Sequence, residues 1–483
     1  MKEYKPTIGL EIHVELKTAT KMFCSCLNNP DEKRPNFNVC PICMGHPGTL
    51  PVINEEAVKK VIKTGLALNC QIPDFSKFDR KNYFYPDLPK GYQISQYDKP
   101  LCIGGFLEVG GKKIRIRRVH LEEDTGSLMH PEGEDISLVD FNRAGIPLME
   151  LVTEPDIASA EEAKDFAEAL HLILHYLDVS DADMEKGQMR VEVNISLGRN
   201  GKMGTKVEIK NLNSFRAVEK GIEYEIERQQ EVLESGKHVL QETRGWDDVK
   251  GKTFSQREKE EAHDYRYFPE PDLPSLHFSK EFILKIKAEI PELPRQKTER
   301  LKREYELSDK EAEILVYNKD FGEYFEKVIS EFPPKLPREK ISKLIKLSSN
   351  YLISDLRGLL GGKPITDEKF LISPDNFADF IVLIEKGTIS SKIAKQVLSE
   401  MFKSGADPSH IIEEKGLVQI SDESELKKII KEIIDKNPKA VEDYKSGKGN
   451  VFQFLVGQIM AKTKGKANPK VAGESLKQAL TNL

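Results

Sequence analysis

Hydrophobic and polar residues alternate with a period of two in several segments before about residue 290. Strands of an antiparallel sheet with one buried face show this alternation. The clearest examples are 113–121, 189–197 and 206–210. Between them, 160–177 and 215–235 carry hydrophobic positions at helical spacing, and Gly236 after the second segment is typical of a helix end. This part of the chain is therefore predicted to combine an antiparallel sheet with helices.

The pattern becomes wholly helical after Pro291–Pro294, whose two prolines predict a domain boundary. Ser373 followed by Pro374 predicts the start of one later helix, with proline at its first position. A second break follows at 404–408, which contains glycine and proline. We therefore predict an α+β fold of three domains. They are a sheet domain at 1–292, a helical domain at 295–404 and a small helical tail at 407–483.

Length and charge limit the possible functions. A chain of 483 residues is too long for one hydrophobic core. Its net charge of −6 excludes a protein that binds nucleic acid with its whole surface. From Asn437 onward, however, eight lysines stand against three acidic residues, most densely at Lys462, Lys464 and Lys466. This cluster fits either a solvated helical face or a contact with an RNA phosphate backbone, and charge alone favours neither.

The chain carries no sequence signal for a membrane or for secretion. No apolar run approaches the roughly 18 residues that a membrane span needs. The first residues, Met1–Pro6, lack the apolar stretch of a signal peptide. A cytoplasmic protein without membrane contacts is therefore expected, and in that compartment its six cysteines are not expected to form disulfides.

Cys24, Cys26, Cys40 and Cys43 lie within twenty residues of one another. Two close pairs separated by a loop can each bind one edge of a tetrahedral zinc ion. Four thiolates leave no open position, so the prediction is a structural Zn²⁺ site. The alternatives are four unrelated buried cysteines, or a Cys43 nucleophile served by His46 as in a glutaminase. A histidine so close in sequence rarely reaches the position that a cysteine nucleophile needs. A zinc site is therefore favoured over both alternatives.

Carboxylates recur in apolar surroundings. Glu11 and His13 are two residues apart in a strand-like run, so their side chains point to the same face. Glu150 lies inside an apolar run, where an unpaired carboxylate is costly. Glu122 and Glu123 end another strand, and only one of them can face a common site if the strand stays regular. Together these residues predict a site for Mg²⁺ and phosphate, although a surface ion pair is the alternative for each one.

The sequence lacks the common nucleotide-binding motifs. It contains no P-loop, no set of protein-kinase motifs and no Gly-x-Gly-x-x-Gly fingerprint. If the chain binds ATP, it must do so on a sheet without a P-loop.

Several long and unusual segments identify a family. On these segments the chain resembles the B subunits of bacterial tRNA-dependent amidotransferases (the GatB family) over nearly its whole length. The segments are 8–16, 77–87, 92–96, 120–124, 141–143, 210–214, 264–272, 416–422 and 457–460.

The resemblance implies a fold and a reaction. The fold is an antiparallel-sheet cradle of the glutamine-synthetase type, followed by all-α helical and tail domains. In the reaction, ATP phosphorylates the side-chain carboxylate of Glu-tRNA(Gln) or Asp-tRNA(Asn), and ammonia then displaces the phosphate. The sequence leaves open which of the two misacylated tRNAs is used.

The resemblance also implies the site residues. Glu11, His13, Glu123 and Glu150 match the Mg²⁺ and phosphoryl-transfer site. Glu122 remains an alternative to Glu123, which we prefer. The expected contacts to substrate or nucleotide are Lys81, Asn82, Tyr83 and Arg143.

The expected partners are an amidase A subunit, which releases ammonia from glutamine, a small C subunit and the misacylated tRNA. With this resemblance, the lysine-rich end from Asn437 favours RNA contact. The four cysteines are not constant in the family, so the zinc prediction depends on their spacing. Two rival functions stay open. One is a tRNA-binding scaffold without catalysis, and the other is a ligase that acts on a free amino acid.

Overall fold

The computed structural model describes residues 4–131, 133–199, 201–258, 265–417, 423–445, 450–463, 467 and 469–481. The chain forms two compact units, Met1–Leu293 and Pro294–Leu483. The first combines sheets and helices, and the described part of the second is helical. The predicted α+β class is therefore confirmed. The further division of the second unit near 404–407 stays a prediction.

The strands of the first unit are β1 (Lys5–Glu15), β2 (Phe75–Ser76), β3 (Asp79–Asn82), β4 (Tyr92–Ser95), β5 (Cys102–Ile103), β6 (Phe106–Val109), β7 (Lys112–Glu123), β8 (Ser127–Met129), β9 (Leu138–Asp140), β10 (Pro147–Thr153), β11 (Met189–Gly198), β12 (Val207–Leu212), β13 (Glu242–Asp247), β14 (Lys252–Glu258), β15 (Phe268–Pro269) and β16 (Leu276–His277). Its helices are α1 (Glu55–Ala67), α2 (Ala160–Tyr176), α3 (Phe215–Glu234) and α4 (Lys280–Ala288). The three segments of alternating polarity correspond to β7, β11 and β12, and the two helical segments correspond to α2 and α3.

A nine-stranded sheet organises this unit, in the order β14-β13-β12-β11-β1-β10-β7-β5, with β6 also paired to β7. All its pairs are antiparallel except β12 with β13, which run parallel. The small sheets are β15-β3-β4, β16-β2 and β8-β9. Strand β1 lies near the middle of the large sheet between β11 and β10, so its side chains on each face lie beside those of two neighbouring strands.

The two faces of β1 have opposite chemistry. Ile8, Leu10 and Ile12 are at most 1% exposed and belong to the hydrophobic core. Helix α3 packs against β11 and β12, and α2 packs against α3. Phe166 of α2 and Ile222 of α3 are fully buried in the same core. The other face of the sheet is therefore left to the polar alternate residues.

Side-chain caps fix where these helices begin. Ser159 accepts a hydrogen bond from the backbone N–H of Glu162 before α2, and Ser214 does the same from Ala217 before α3. Such caps stabilise helices by about 1 kcal/mol each. Helix α3 ends one residue before Ser235, and Gly236 follows with φ +78°, as predicted from its position.

The helices of the second unit are α5 (Pro294–Tyr305), α6 (Asp309–Tyr317), α7 (Lys319–Ser330), α8 (Arg338–Asn350), α9 (Arg357–Leu360), α10 (Pro374–Glu385), α11 (Ser391–Ser404), α12 (Pro408–Glu414), α13 (Glu423–Lys436), α14 (Pro438–Lys445), α15 (Asn450–Lys462) and α16 (Pro469–Thr481), with a π-helical turn at Tyr351–Leu356 between α8 and α9. Helix α10 begins at Pro374, as predicted. Ile430, Leu455 and Leu476 lie in a separate small core among α13, α15 and α16. Among the described residues, no helix has the length and apolar composition to cross a membrane.

Candidate functional site

The residues of β1 that point away from the core include Glu11 and His13, each between two buried apolar neighbours. The strand register places His13 opposite Glu150 of β10, and Glu11 opposite Glu192 of β11. Glu150 in turn lies opposite His120 of β7. Because directly opposed residues share a face of a sheet, these side chains gather on one surface, which we call the acidic face. Its members are Glu11, His13, His120, Glu122, Glu150, Glu192 and Glu208.

Two imidazoles meet one carboxylate at the centre of the acidic face. Nε2 of His13 lies 3.4 Å from Oε2 of Glu150, and Nε2 of His120 lies 3.3 Å from the same oxygen. The carboxylate of Glu122 approaches these two nitrogens at 3.8 and 3.7 Å. In the described part of the chain, Nδ1 of each imidazole is buried without a hydrogen-bond partner. The two carboxylates therefore hold both rings through Nε2.

Potential ligand atoms on this face are close enough together to bind divalent cations. Three overlapping sets each place one ligand atom per residue within 4.8 Å of the others. The sets are Glu11–His13–Glu150, His120–Glu122–Glu150 and Glu11–Glu192–Glu208. Carboxylate oxygens with an imidazole nitrogen suit Mg²⁺, which uses few protein ligands and keeps water and phosphate oxygens for the rest. The donor set therefore fits the metal that the sequence predicted.

The acidic face continues onto β12. Nζ of Lys210 lies 2.8 Å from Oε2 of Glu192, and Thr243 donates a 2.7 Å hydrogen bond to Oε2 of Glu208. Burial, with the negative charges of Glu150 and Glu192, raises the pKa of Glu11. This raised pKa reflects an excess of negative charge that a bound cation would offset.

Neighbouring charges of opposite sign shift the pKa values of the other ionisable groups at this site. Burial alone would lower the pKa of His13, but the hydrogen bond and charge of Glu150 raise it to about 9. Burial alone would raise the pKa of Glu150, but the imidazoles of His120 and His13 hold it well below its ordinary value. The pKa of Lys81 is raised, because the attraction of Glu122 and Glu150 outweighs the effect of burial. The site thus keeps Glu150 ionised and Lys81 charged.

Glu122 and Glu123, the two candidates for the third carboxylate, point to different places. Strand β7 keeps its regular register to its end, with Glu122 opposite Leu148 and Glu123 opposite Pro147. Glu122 faces the imidazoles, whereas Glu123 pairs with Lys90 and accepts a 2.9 Å hydrogen bond from Ile94 N. The structure therefore brings Glu122 into the acidic face and does not bring Glu123 there.

The predicted substrate contacts are at two locations. Nζ of Lys81 lies 5.1 Å from the ring centre of Tyr265 and 6.0 Å from that of Tyr83. Asn82 donates to the backbone oxygen of Arg266 over 2.9 Å. Arg143 instead donates to two backbone oxygens, those of Thr125 and Gly126, over 3.1 and 3.0 Å. Of these contacts, Lys81 carries a positive charge that Glu122 and Glu150 of the acidic face attract.

The four clustered cysteines meet in the loop region between β1 and α1. Their sulfur atoms lie within 4.8 Å of one another, and Cys40 Sγ is 3.9 Å from Cys43 Sγ. A tetrahedral ion with Zn–S bonds of about 2.3 Å needs sulfur atoms nearly this far apart. Nζ of the fully buried Lys21 lies 3.9 Å from Cys43 Sγ. The hydrogen bond from Cys24, with help from Lys21, lowers the pKa of Cys43 to about 5, which favours its thiolate.

Of the three lysines predicted to contact RNA, only Lys462 is described; Lys464 and Lys466 lie outside the described residues. Nζ of Lys462 is 2.5 Å from Oε1 of Glu432, which also binds Lys436. Its charge is therefore partly offset within the same helical unit.

Sequence reasoning missed three members of the acidic face: His120, Glu192 and Glu208. Each occupies a polar position in a strand of alternating polarity, which is a signal visible in the sequence. What the sequence did not supply was the pairing of β7, β11 and β12 around β1 and β10. Alternation shows that residues share a face, but only register shows which strands that face joins.

Comparison with known proteins covers most of the chain. The family described as "GatB/GatE catalytic domain" matches residues 6–284, and the family described as "GatB domain" matches residues 334–480. A protein of Persephonella marina, named as the B subunit of an aspartyl/glutamyl-tRNA(Asn/Gln) amidotransferase, is 51% identical over 484 residues, which are 99% of this chain and 100% of that protein. Proteins of the same name are 51% identical in Caldicellulosiruptor bescii, over 100% of both chains, and 49% identical in Thermotoga maritima, over 99% of both.

Proposed function

The chain belongs to the GatB family, and from that membership we propose that it is a subunit of an ATP-dependent tRNA amidotransferase. It converts the misacylated Glu-tRNA(Gln), Asp-tRNA(Asn) or both into the corresponding amide. The observation that carries this function is the acidic face, where two imidazoles converge on Glu150. A surface that only bound RNA would place few buried carboxylates near phosphate, because the charges repel.

The reaction requires activation of a poor acyl donor. A carboxylate oxygen of the aminoacyl side chain attacks the γ-phosphorus of ATP, the P–O bond to the β-phosphate breaks, and ADP leaves. Ammonia then attacks the acyl carbon, the C–O bond to phosphate breaks, and the proton lost by nitrogen passes to phosphate or water. The first step brings a carboxylate oxygen against negative phosphate oxygens despite their repulsion, and in the second step negative charge develops on the departing phosphate.

We assign Mg²⁺ to Glu11, His13, Glu122 and Glu150, with Glu122 in place of Glu123, which the sequence favoured. His13 would release its proton when the metal binds, because only a neutral imidazole can be a ligand. When bound, the metal supplies positive charge to the phosphate oxygens. His120 contacts the same Glu150 oxygen as His13 and holds that carboxylate in orientation. Lys81 stays protonated, so it can attract the substrate carboxylate or a phosphate oxygen without titrating.

Ammonia comes from a partner in this proposal. The only four-sulfur cluster among the described residues fits a structural zinc site better than a glutaminase, since Cys43 contacts other sulfurs and Lys21. An amidase A subunit would supply ammonia from glutamine, and a small C subunit would complete the complex. The helical unit, with Lys462, would contact the tRNA, and Lys464 and Lys466 are proposed to do so from outside the described residues.

The test is ATP cleavage and amide formation by the assembled complex, with and without misacylated tRNA. Cleavage of ATP should depend on the charged tRNA, and cleavage that ignores it contradicts the proposal. Glu11→Gln should abolish amide formation while leaving glutamine hydrolysis intact. The matched control is Glu227→Gln, an exposed glutamate of α3, which should keep both activities.

A further inference from the structure

Three tyrosines from separate segments of the chain meet at the small sheet β15-β3-β4. Tyr97 follows β4, and Tyr265 and Tyr267 precede β15. The rings of Tyr97 and Tyr267 are stacked, with centres 4.2 Å apart and planes inclined by 12°. The ring of Tyr265 meets that of Tyr267 edge to face at 6.3 Å. We call these three residues the tyrosine cluster.

One ring face of Tyr97 is open to solvent. The stacked ring of Tyr267 covers the other face, yet Tyr97 is 50% exposed. The exposed surface of the ring therefore lies on its uncovered face and its edge. An exposed aromatic face of this kind is a platform on which an unpaired nucleic-acid base can stack, and such stacking tolerates any base.

The tyrosine cluster lies next to the acidic face. Ser95, at the end of β4, donates a 3.0 Å hydrogen bond to Oε2 of Glu122. Tyr97 follows two residues later, so at most about 7 Å of chain separates the two positions. Burial raises the pKa of Tyr267 to about 12, and the charges of Glu122 and Glu150 contribute to this shift. A group held on the cluster is therefore within reach of the carboxylates that face the imidazoles.

Arg266, between two members of the cluster, has a constrained backbone. Its φ is +42°, in the left-handed region that residues other than glycine rarely adopt. Asn82 holds this conformation by donating a 2.9 Å hydrogen bond to the backbone oxygen of Arg266. A strained backbone that a second residue fixes in place is typical of a functional site. Asn82, which the sequence predicted to contact substrate, thus positions Arg266.

The side chain of Arg266 is exposed and makes no ion pair within the described ranges of the chain. Its guanidinium can therefore bind a phosphate through paired N–H donors. Nζ of Lys81, 5.1 Å from the ring centre of Tyr265, adds a second positive charge. Aromatic faces beside positive charges are the combination with which proteins bind single-stranded nucleic acid.

We propose that the tyrosine cluster binds the unpaired 3′ end of the tRNA, with the terminal adenine stacked on Tyr97 and the adjoining phosphate beside Arg266. The inference rests on the proposed tRNA-dependent function and adds the place where the RNA end is held. The aminoacyl group, esterified to the terminal ribose, then extends from Tyr97 toward Glu122. Unpaired RNA ends are commonly recognised by aromatic stacking in this way.

The test compares two forms of uncharged tRNA, one complete and one lacking only the terminal adenosine. Binding of each to the assembled complex would be measured by fluorescence anisotropy. The parent complex should bind the complete tRNA about tenfold more tightly. Tyr97→Ala should bind both forms equally, and Tyr97→Phe, which keeps the ring, should discriminate as the parent does. Phe254→Ala, at an exposed aromatic position on the edge strand β14, is the matched control and should also discriminate.

The phosphate contact has its own measurement. Arg266→Gln should weaken binding of the complete tRNA and make its affinity less dependent on salt, because one phosphate contact is lost. An unchanged salt dependence in Arg266→Gln would overturn the assignment of the phosphate to this side chain.

The outcomes separate this inference from the proposed function. If the complex amidates misacylated tRNA but Tyr97→Ala still distinguishes the two forms, the terminal base lies elsewhere and only the inference fails. The same holds if the parent complex binds both forms equally, or if Tyr97→Phe loses discrimination as Tyr97→Ala does. If the parent complex neither binds the complete tRNA nor amidates its misacylated form, the proposed function fails together with the inference.

Discussion

Glu122 and Glu123 are consecutive residues of β7 whose carboxylates point to opposite faces of the central sheet. Glu122 accepts a 3.0 Å hydrogen bond from Ser95 Oγ and faces the imidazoles of His13 and His120. Glu123 pairs with Lys90 and Ile94 N on the other side. Adjacent acidic residues thus take different roles because a regular strand separates them.

This geometry predicts different outcomes for two isosteric substitutions. Glu122→Gln should lower amide formation by about 10²–10³, and it should also lower the free energy of unfolding, because it removes a buried charge that faces His13 and His120. Glu123→Gln should lower the free energy of unfolding by about 1–3 kcal/mol, because it removes the charge that pairs with Lys90. The two variants are compared by measuring the rate of amide formation and the thermal unfolding of each. Equal activity loss with equal stability would contradict the assignment of Glu122.

Glu150 is predicted to be the most sensitive carboxylate of the site, since one of its oxygens serves both His13 and His120. Glu150→Gln should abolish tRNA-dependent ATP cleavage and also lower the pKa of His13, which the Glu150 charge raises. NMR titration of the imidazole in the metal-free chain would measure this shift. A His13 pKa that stays at about 9 in the variant would show that other carboxylates hold the proton.

Zinc binding is predicted to stabilise the first unit without taking part in the chemistry. Metal analysis should find about one zinc per chain, and Cys43→Ser should lower the zinc content and the melting temperature. Zinc should leave as the pH falls, because protons compete for the thiolates. Cys70→Ser, a buried cysteine outside the cluster, is the control and should retain the metal. Full zinc content in Cys43→Ser would exclude the four-cysteine site.

The sequence predicted the elements of the fold more fully than it predicted the site. Alternation along β11 and helical spacing along α2 are local properties, so both were visible without a structure. The pairing of Glu11 with Glu192 depends on contacts between residues that are far apart in the chain, and no local pattern encodes it. The placement of Glu122, and not Glu123, on the acidic face likewise depends on the strand register, which the structure supplies. The preference for Glu123 required the end of β7 to be irregular, whereas alternation from His120 already favoured Glu122.

Helix α2 carries a pair of neighbouring histidines, His171 and His175, away from the acidic face. Nε2 of His171 lies 3.2 Å from Nε2 of His175, and burial, together with the charge of His175, lowers the pKa of His171 from 6.5 to about 4. Between these two pH values the unfolded chain binds a proton that the folded chain does not. The contribution of His171 to stability is therefore complete above about pH 6.5 and falls as the pH drops toward 4.

Replacing His171 with glutamine removes this proton uptake. His171→Gln should therefore show a shallower loss of melting temperature between pH 6.5 and 4 than the parent protein. At neutral pH the variant should be slightly less stable, because it loses the edge-to-face contact with Phe215. His410→Gln, at an exposed position of α12, is the control and should follow the parent curve. If the melting temperatures of His171→Gln and the parent protein fall in parallel with pH, the folded chain binds this proton as readily as the unfolded chain.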